Sequence, residues 1–263
     1  MNAWGGAMFA ELAAWLPQSG ADVLCLQEVT RTPGIVGWTS FEDGERALPQ
    51  RANLFDDVNA LMPRHQGWFV ASDAGPVRDR EGHVHRQDFG LAVFVDRRIR
   101  SITHESPFVH GAFVDHEHWP SSDRPRRAQA IRFVDPTSDG AAARAVTVVH
   151  VHGLRDAQGK ADTPARRGQA DRLAGLVDRA RAADDLTIVC GDLNVMPDSE
   201  TFAVLRAIGL VDLVGRADTR TSHYPKAARH ASYLLVSDAV AVEHFEVLAE
   251  PEVSDHRALV LDI

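Results

Sequence analysis

Residues 186–202, LTIVCGDLNVMPDSETF, combine the pattern of a buried strand with an abrupt polar ending. The run at 186–190 is branched and apolar, which is typical of a strand covered on both faces. It gives way to Asp192 and Asn194, and a spacing of two directs both side chains to one face of a strand. A carboxylate and an amide aimed from a strand end indicate a site, although Asx residues also cap turns into helices.

Other acids and histidines stand where further apolar runs end. Glu28 closes the strand pattern DVLCLQE, His152 closes a β-branched run, and Asp255 with His256 precedes the last strand pattern, RALVLDI. Each alone has an ordinary interpretation, as a solvated charge, a hydrogen-bonded histidine or a turn cap. Four distant segments that place polar groups at strand ends nevertheless form a joint pattern, and such ends are where sites of layered β structures form.

Composition is that of a soluble globular protein, with 44% hydrophobic and 25% charged residues, and 263 residues fit one domain over 1–263. No apolar run approaches the roughly 20 residues that cross a bilayer, and no secretion signal opens the chain, so we expect a cytoplasmic protein. The net charge of −9 disfavours a basic nucleic-acid surface, although a metal in an acidic site also recruits phosphate. Nothing in the composition indicates an oligomeric state.

Strand patterns outnumber helical patterns and do not alternate strictly with them. This order favours an α+β fold with a two-sheet sandwich covered by helices over one doubly wound sheet. Thr163 and Pro164 predict the N-cap and first residue of a helix. Residues 31–50 and the charged segment 73–88 are predicted loops. Segments 73–88 and 110–128 are predicted to border the site and set its specificity.

Four motifs resemble, in this order, those of the endonuclease/exonuclease/phosphatase superfamily, which includes deoxyribonucleases, neutral sphingomyelinases and inositol polyphosphate phosphatases. They are DVLCLQE at 22–28, HGL at 152–154, GDLNVMPDS at 191–199 and SDHR at 254–257. The combination of GDLN with SDHR is the specific part, and the resemblance runs over residues 2–263. It implies a four-layer α/β/β/α sandwich, two mixed β-sheets flanked by helices, with Mg²⁺ or Mn²⁺ in a cleft above the sheets.

The resemblance also implies catalytic roles. Asp192 matches the acid that positions or deprotonates the attacking water, and Asn194 matches an amide that contacts phosphate. His152 matches a phosphate-contacting histidine, and His256 matches the histidine that binds the phosphoryl oxygen. Hydrolysis of an anionic ester requires charge neutralisation, an oriented water and such donors, so these residue types agree with the chemistry.

Three residues match the metal site of the superfamily: Glu28 as the principal ligand, Asp255 as a secondary acid, and Asn2. Superfamily members carry a strand before this asparagine, and here that first strand is apparently truncated. We therefore expect the backbone of Asn2 to be poorly anchored.

A second departure concerns Ser232, which stands where relatives carry an aspartate that orients the catalytic histidine. A serine hydroxyl can accept the ring N–H of His256 but brings no negative charge, so His256 should be protonated less readily. By analogy with other His–Asp pairs the rate penalty is on the order of 10⁴ at most. His230 is a candidate substitute for the missing acid. The departure keeps open a catalytically impaired protein that binds a phosphate ligand.

The predicted activity is metal-dependent hydrolysis of a phosphoester, with a phosphodiester favoured over a monoester. Because the chain is acidic, a small molecule or a lipid headgroup is favoured as substrate, and DNA or RNA is the alternative. Two further interpretations stay open: an arginine cluster either binds phosphate or is solvated, and two aromatic residues either stack on a base or pack. These residues are Arg124, Arg126, Arg127, Trp119 and Tyr224.

Overall fold

Two β-sheets carry most of the chain in the computed structural model, which describes residues 1–135 and 144–263. The helices are α1 Phe9–Trp15, α2 Leu54–Leu61, α3 Pro164–Ala180 and α4 Glu200–Ala207. The strands are β1 Val23–Arg31, β2 Trp38–Glu42, β3 Ala47–Arg51, β4 His65–Arg78, β5 Val84–Asp96, β6 Ser101–Glu105, β7 Phe108–His110, β8 Arg126–Val134, β9 Ala145–His152, β10 Leu186–Asp192, β11 Leu210–Asp212, β12 Ser232–Ser237, β13 His244–Val247 and β14 Leu259–Asp262.

The first sheet has the strand order β1-β5-β4-β2-β3, and its ladders are antiparallel. The second sheet has the order β11-β12-β10-β9-β8-β6, and β7 pairs with β8 beside it. Within the second sheet β9 and β10 run parallel, whereas their outer neighbours run antiparallel to them. All eight residues of β9 are buried, as expected for a strand covered on both faces.

Helices cover the outer faces of both sheets. Leu12 of α1 and Val58 of α2 pack against Leu26 and Phe94 of the first sheet, while α3 and α4 pack on the second sheet. The inner faces meet directly, because β1 lies on β9 and β10 and β5 lies on β8. The predicted four-layer α/β/β/α sandwich is therefore confirmed. Among the described residues, no helix has both the length and the apolarity that crossing a bilayer requires.

The N-terminal backbone is anchored, contrary to expectation. Asn2 forms a parallel bridge to Gln27, whose N–H donates to the Met1 carbonyl at 3.1 Å and whose carbonyl accepts from the Ala3 N–H at 2.9 Å. The hydroxyl of Ser254 donates to the Asn2 carbonyl at 2.8 Å. These long-range hydrogen bonds support the Asn2 backbone.

Two predicted loops are strands. Residues 31–50 contain β2 and most of β3, an edge hairpin that tolerates Pro49 because an edge strand can leave one side unpaired. Residues 73–88 are the far arms of the β4–β5 hairpin, paired out to Arg78 and Val84. Polar and charged residues dominate the sequence of these arms, although Ala74 and Val77 are buried, so the hydrophobic pattern did not reveal them.

A buried ion pair ties this hairpin to the segment 110–128. The Nε and Nη2 groups of Arg124 donate to the two carboxylate oxygens of Asp73 at 2.7 and 2.9 Å, and Asp73 is fully buried. The guanidinium also lies 4.3 Å from the ring centroids of both Phe89 and Trp119. Arg124 is thus held by Asp73 and is not a solvated surface arginine, and Trp119 packs in the interior.

We predict that Asp73→Ala lowers the free energy of unfolding by about 3–5 kcal/mol, because it leaves a buried guanidinium without its counter-charge. Urea denaturation measures the change. The matched control is Asp22→Ala: the Asp22 carboxylate is 59% exposed and lies 3.4 Å from Arg98, so we expect a change within about 0.5 kcal/mol. Equal effects of the two substitutions would contradict the assignment.

Candidate active site

His152, Asp192 and Ser232 occupy matching positions on three neighbouring strands, β9, β10 and β12. The chain needs glycine next to this row: the Gly153 N–H donates to the Asp192 carbonyl at 2.6 Å, and a Cβ on Gly153 would lie 2.2 Å from the Leu193 carbonyl oxygen. The close approach of the two strand ends sets the imidazole and the carboxylate side by side. The pattern of polar strand ends predicted this juxtaposition.

Glu28 reaches the same place from the first sheet because of a β-bulge. The register of β1 against β5 shifts between Gln27 and Val29, so Glu28 is the extra residue. Its φ is +57°, in the left-handed region that glutamate rarely adopts. A bulge redirects the side chain that it contains, and here it turns a carboxylate from a strand into the cleft.

An amide lies between the carboxylates of the two sheets. The Asn2 Nδ2 group donates to Glu28 Oε1 at 3.0 Å and to Asp192 Oδ2 at 3.2 Å. The His152 Nε2 atom lies 3.8 Å from each of the same oxygens. Two like charges from different sheets therefore converge on one point, and four of the predicted site residues meet there.

This convergence fits a divalent cation. Within residues 1–135 and 144–263, no three His, Cys, Asp or Glu side chains form a closed metal-binding cluster. Mg²⁺ does not need one, since it binds through one or two carboxylates and keeps several waters. The Asn2 NH2 group now stands where both carboxylates are directed, so a cation there would replace it. Glu28 would hold the ion, and Asn2 could contribute its Oδ1 atom, which here accepts from the Trp4 N–H at 2.9 Å.

Asp255 makes a different contact. Its Oδ2 atom accepts from the Arg220 Nη1 group at 2.8 Å, and its Oδ1 atom lies 3.9 Å from His256 Nε2. Burial raises the pKa of Asp255 to about 7; the charge of Arg220 opposes this rise, and the charge of Glu28 adds to it. The predicted secondary metal acid is thus at the site, but its nearest cation is an arginine.

His256 connects Asp192 with Ser232. Its Nε2 atom lies 3.3 Å from Asp192 Oδ2, and its Nδ1 atom lies 2.8 Å from the Ser232 hydroxyl. Burial, and then the charges of Arg220 and Lys160, lower the pKa of His256 well below its usual value. Burial opposes ionisation of Asp192, but the imidazole of His152 and then the charges of Arg220 and Lys160 outweigh it, so the pKa of Asp192 is lowered.

These protonation states decide the tautomer. A neutral His256 beside an ionised Asp192 is most stable with its proton on Nε2, the ring nitrogen that faces the carboxylate. The Nδ1 atom then accepts from the Ser232 hydroxyl, which an aspartate at that position could not supply while ionised. Ser232 therefore supports a neutral imidazole that still donates from Nε2. The ring of His230 does not substitute for the missing acid, because its Nδ1 atom contacts the Ala217 carbonyl at 3.1 Å.

Asn194 orients Asp192. Its backbone N–H donates to Asp192 Oδ1 at 3.0 Å, and its φ is +55°. Its side-chain Nδ2 group donates to the Gly153 carbonyl at 3.2 Å. The amide is at the site but hydrogen-bonded to the backbone, and its contact with phosphate stays a prediction.

A cleft of about 1500 Å³ opens over these groups. Arg126 lines it and is 4% exposed, and it makes no side-chain hydrogen bond or ion pair with the described residues. Burial lowers the pKa of its guanidinium to about 10. Arg127 differs, because it donates to the Ser106 carbonyl and lies 4.1 Å from the Phe108 ring centroid. Of the predicted arginine cluster, Arg124 and Arg126 line the cleft, and Arg126 is the candidate for binding phosphate that has no counter-ion among the described residues.

Two further cations of the cleft, Lys160 and Arg220, were missed from the sequence. Lys160 lies between β9 and α3 and Arg220 between β11 and β12, in irregular segments with no motif around them. Arg220 lies 4.0 Å from the Tyr224 ring centroid, so Tyr224 stacks on an arginine of the protein itself. Only tertiary folding brings these side chains to Asp192 and His256.

Comparison with known families agrees with this geometry. The sequence model of the Endonuclease/Exonuclease/phosphatase family matches residues 1–256. The chain belongs to this family. Members of the family are hydrolases that act on phosphoester bonds, and they generally use divalent metal ions. A search of curated proteins found no match.

Solved structures share the fold at low sequence identity. A mannosyl-6-phosphatase of Bacteroides thetaiotaomicron has a TM-score of 0.62 at 15% identity, covering 98% of this chain and 91% of that one. The human Nocturnin catalytic domain with bound sulfate has a TM-score of 0.59 at 18% identity, covering 97% and 85%. D. rerio TDP2 with a single-strand DNA product has a TM-score of 0.55 at 11% identity, covering 98% and 91%.

We predict that Ser232→Asp raises the pKa of His256 by about 1–3 units, because a carboxylate beside the ring favours the charged imidazole. Nitrogen-15 NMR of the histidine side chains measures the pKa and the tautomer. In the wild-type protein we expect a neutral ring at pH 7, protonated on Nε2. Ser101→Asp, on the exposed edge strand β6, is the control and should leave this titration unchanged. A wild-type ring protonated on Nδ1 would refute the proposed tautomer.

Proposed function

We propose that the protein is a divalent-metal-dependent phosphoesterase that hydrolyses its substrate by attack of water. The observation that carries this proposal is the position of Asp192, whose Oδ2 atom lies within 3.3 Å of both the Asn2 amide and His256 Nε2. The Asp192 carboxylate therefore lies beside both the proposed cation position and the His256 imidazole.

Charge explains why a metal is needed. A phosphoester is anionic and repels hydroxide, and the acids of the cleft would repel it further. Mg²⁺ or Mn²⁺, held by Glu28 and Asn2, would neutralise this charge and lower the pKa of a bound water. Asp192 stays ionised at neutral pH because its pKa is lowered, so it can orient the water and accept its proton.

Imidazole donors would stabilise the charge that develops on the phosphoryl oxygens. His256 offers Nε2–H in its neutral form, and Ser232 fixes that tautomer. Burial, followed by the charge of Arg126, lowers the pKa of His152 well below its usual value, so this ring is also neutral. Neutral donors in a buried site keep their full effect without the cost of burying another charge.

For the substrate we propose a phosphodiester of a small molecule or a lipid headgroup. The net charge of −9 supports this over a long nucleic acid. The cleft of about 1500 Å³ exceeds the usual 300–1,000 Å³ of small-ligand pockets, so it has room for a ligand and ordered water. A nuclease is the alternative, because the solved structures with this fold include a mannosyl-6-phosphatase and a protein with a bound DNA product.

We predict that the purified protein hydrolyses bis-p-nitrophenyl phosphate with Mg²⁺ or Mn²⁺ and that EDTA abolishes the reaction. Asp192→Ala should lower kcat by about 10²–10⁴-fold, because it removes the group that activates water. Glu28→Gln should raise the metal concentration needed for half-maximal rate, since it weakens the principal ligand. The control is Asp22→Ala. Asp22 is exposed and directly precedes β1, six residues before Glu28, so this substitution should change neither kcat nor the metal concentration for half-maximal rate.

Parallel assays with p-nitrophenyl phosphate and with plasmid DNA decide between a diester, a monoester and a nuclease substrate. If wild type and Asp192→Ala hydrolyse every ester at the same slow rate, the enzyme proposal is wrong. A phosphate-binding protein without catalysis would then be the remaining interpretation.

A further inference from the structure

Arg220 is a buried cation that the fold fixes on several sides. Its Nη1 group donates to Asp255 Oδ2 at 2.8 Å, and its guanidinium lies 4.0 Å from the Tyr224 ring centroid. Its backbone forms an antiparallel bridge with His256, and the Arg257 N–H extends this pairing to the Thr219 carbonyl at 3.0 Å. The guanidinium is therefore positioned by the same segment that carries the catalytic imidazole.

Its hydrogen-bonding capacity is not used up. A guanidinium has five N–H donors, and Asp255 takes one of them in the described structure. The buried Nε group has no partner within the described residues, although Arg220 is only 5% exposed. An unsatisfied buried donor is costly, and this side chain lines the cleft next to Asp192 and His256. Because Nε is enclosed by protein, the donors that remain for an anion in the cleft are those of the outer Nη groups.

Lys160 lines the same cleft from the segment between β9 and α3. Its Nζ group donates to the His230 carbonyl, which leaves two further donors. It forms no ion pair with a described carboxylate within 4.0 Å. Burial lowers its pKa to about 8, so it remains largely charged at pH 7. The charges of Lys160 and Arg220 both lower the pKa of His256, so both cations lie near its imidazole.

We propose that Arg220 and Lys160 form an oxyanion site that binds a phosphoryl group without metal, and that Asp255 serves to hold Arg220 in that site. This rests on the proposed function and assigns its phosphoryl-binding groups. The ligand class is a tetrahedral oxyanion, phosphate or the terminal oxygens of a phosphoester, which accepts charge-assisted hydrogen bonds from both side chains.

The pairing of Asp255 supports this division of roles. Eight arginine and lysine side chains and seven carboxylates line the cleft, so its lining carries no excess of acids that would exclude a phosphoester anion. With Asp255 paired to Arg220, the carboxylate left to hold a metal is Glu28, and Asp192 faces the same point. One divalent ion per chain follows.

The test is calorimetric titration with inorganic phosphate in EDTA. Wild type is expected to bind phosphate without metal, and Lys160→Met to weaken the affinity by about tenfold or more, as the loss of one charge-assisted hydrogen bond predicts. Arg220→Met alone leaves Asp255 unpaired and can impair folding, so it is combined with Asp255→Asn, and circular dichroism checks both variants. The double variant is expected to lose at least as much affinity. The control is Lys226→Met, an exposed lysine at the cleft.

Two results overturn the proposal: wild type that binds phosphate only after Mg²⁺ is added, or Lys160→Met that binds as tightly as Lys226→Met.

Manganese titration adds an independent readout. One Mn²⁺ per chain, unchanged by Asp255→Asn, supports the role of Asp255, whereas a second ion that disappears in Asp255→Asn refutes it. Metal-dependent hydrolysis without metal-free phosphate binding would defeat this inference alone, and phosphate binding without any hydrolysis would defeat the proposed function alone.

Discussion

The structure depends on bringing two carboxylates, Glu28 and Asp192, from different sheets to one buried point. Carboxylates that converge on one point repel each other unless positive charge or hydrogen bonds compensate them. Here the Asn2 amide donates to both, and the cations of the cleft lower the pKa of Asp192. An arrangement that concentrates negative charge and still keeps it ionised is suited to a cation, and it is costly without one.

Backbone features far from ordinary strand geometry maintain this convergence. The bulge at Glu28 and the left-handed conformation of Asn194 hold side chains that a regular ladder would direct elsewhere. Gly153 permits the strand ends to approach, and Ser254 fixes the Asn2 backbone from the other end of the chain. Strain of this kind persists where the surrounding structure determines it, and it is found at functional positions.

Much of the site was predictable from sequence because strand ends carry a local signal. An apolar run that stops at a polar residue identifies His152 and Asp192, and the capping pair Thr163–Pro164 identified the start of α3, where the Thr163 hydroxyl accepts from the Arg166 N–H. The β4–β5 arms and Arg220 were not predictable in this way. Paired polar arms lack an apolar period, and a loop arginine acquires its role only through contacts made in the folded chain.

Ser232 shows that one substitution can be interpreted in opposite ways before and after the structure is known. From sequence, the serine replaces a negative charge beside His256, which predicts that His256 is protonated less readily. In the structure the hydroxyl lies 2.8 Å from Nδ1 while an ionised Asp192 faces Nε2, so the serine stabilises a neutral donor. The difference arises because the tautomer depends on both neighbours of the ring, and these come from strands that are distant in sequence.

The central claim, that the carboxylates at the sheet junction bind a divalent ion, is tested most directly by anomalous diffraction from crystals soaked in Mn²⁺. The account predicts one strong anomalous peak in contact with the Glu28 carboxylate, on the side that faces Asp192. A map with no peak at Glu28, or with manganese bound only elsewhere on the chain, would contradict it.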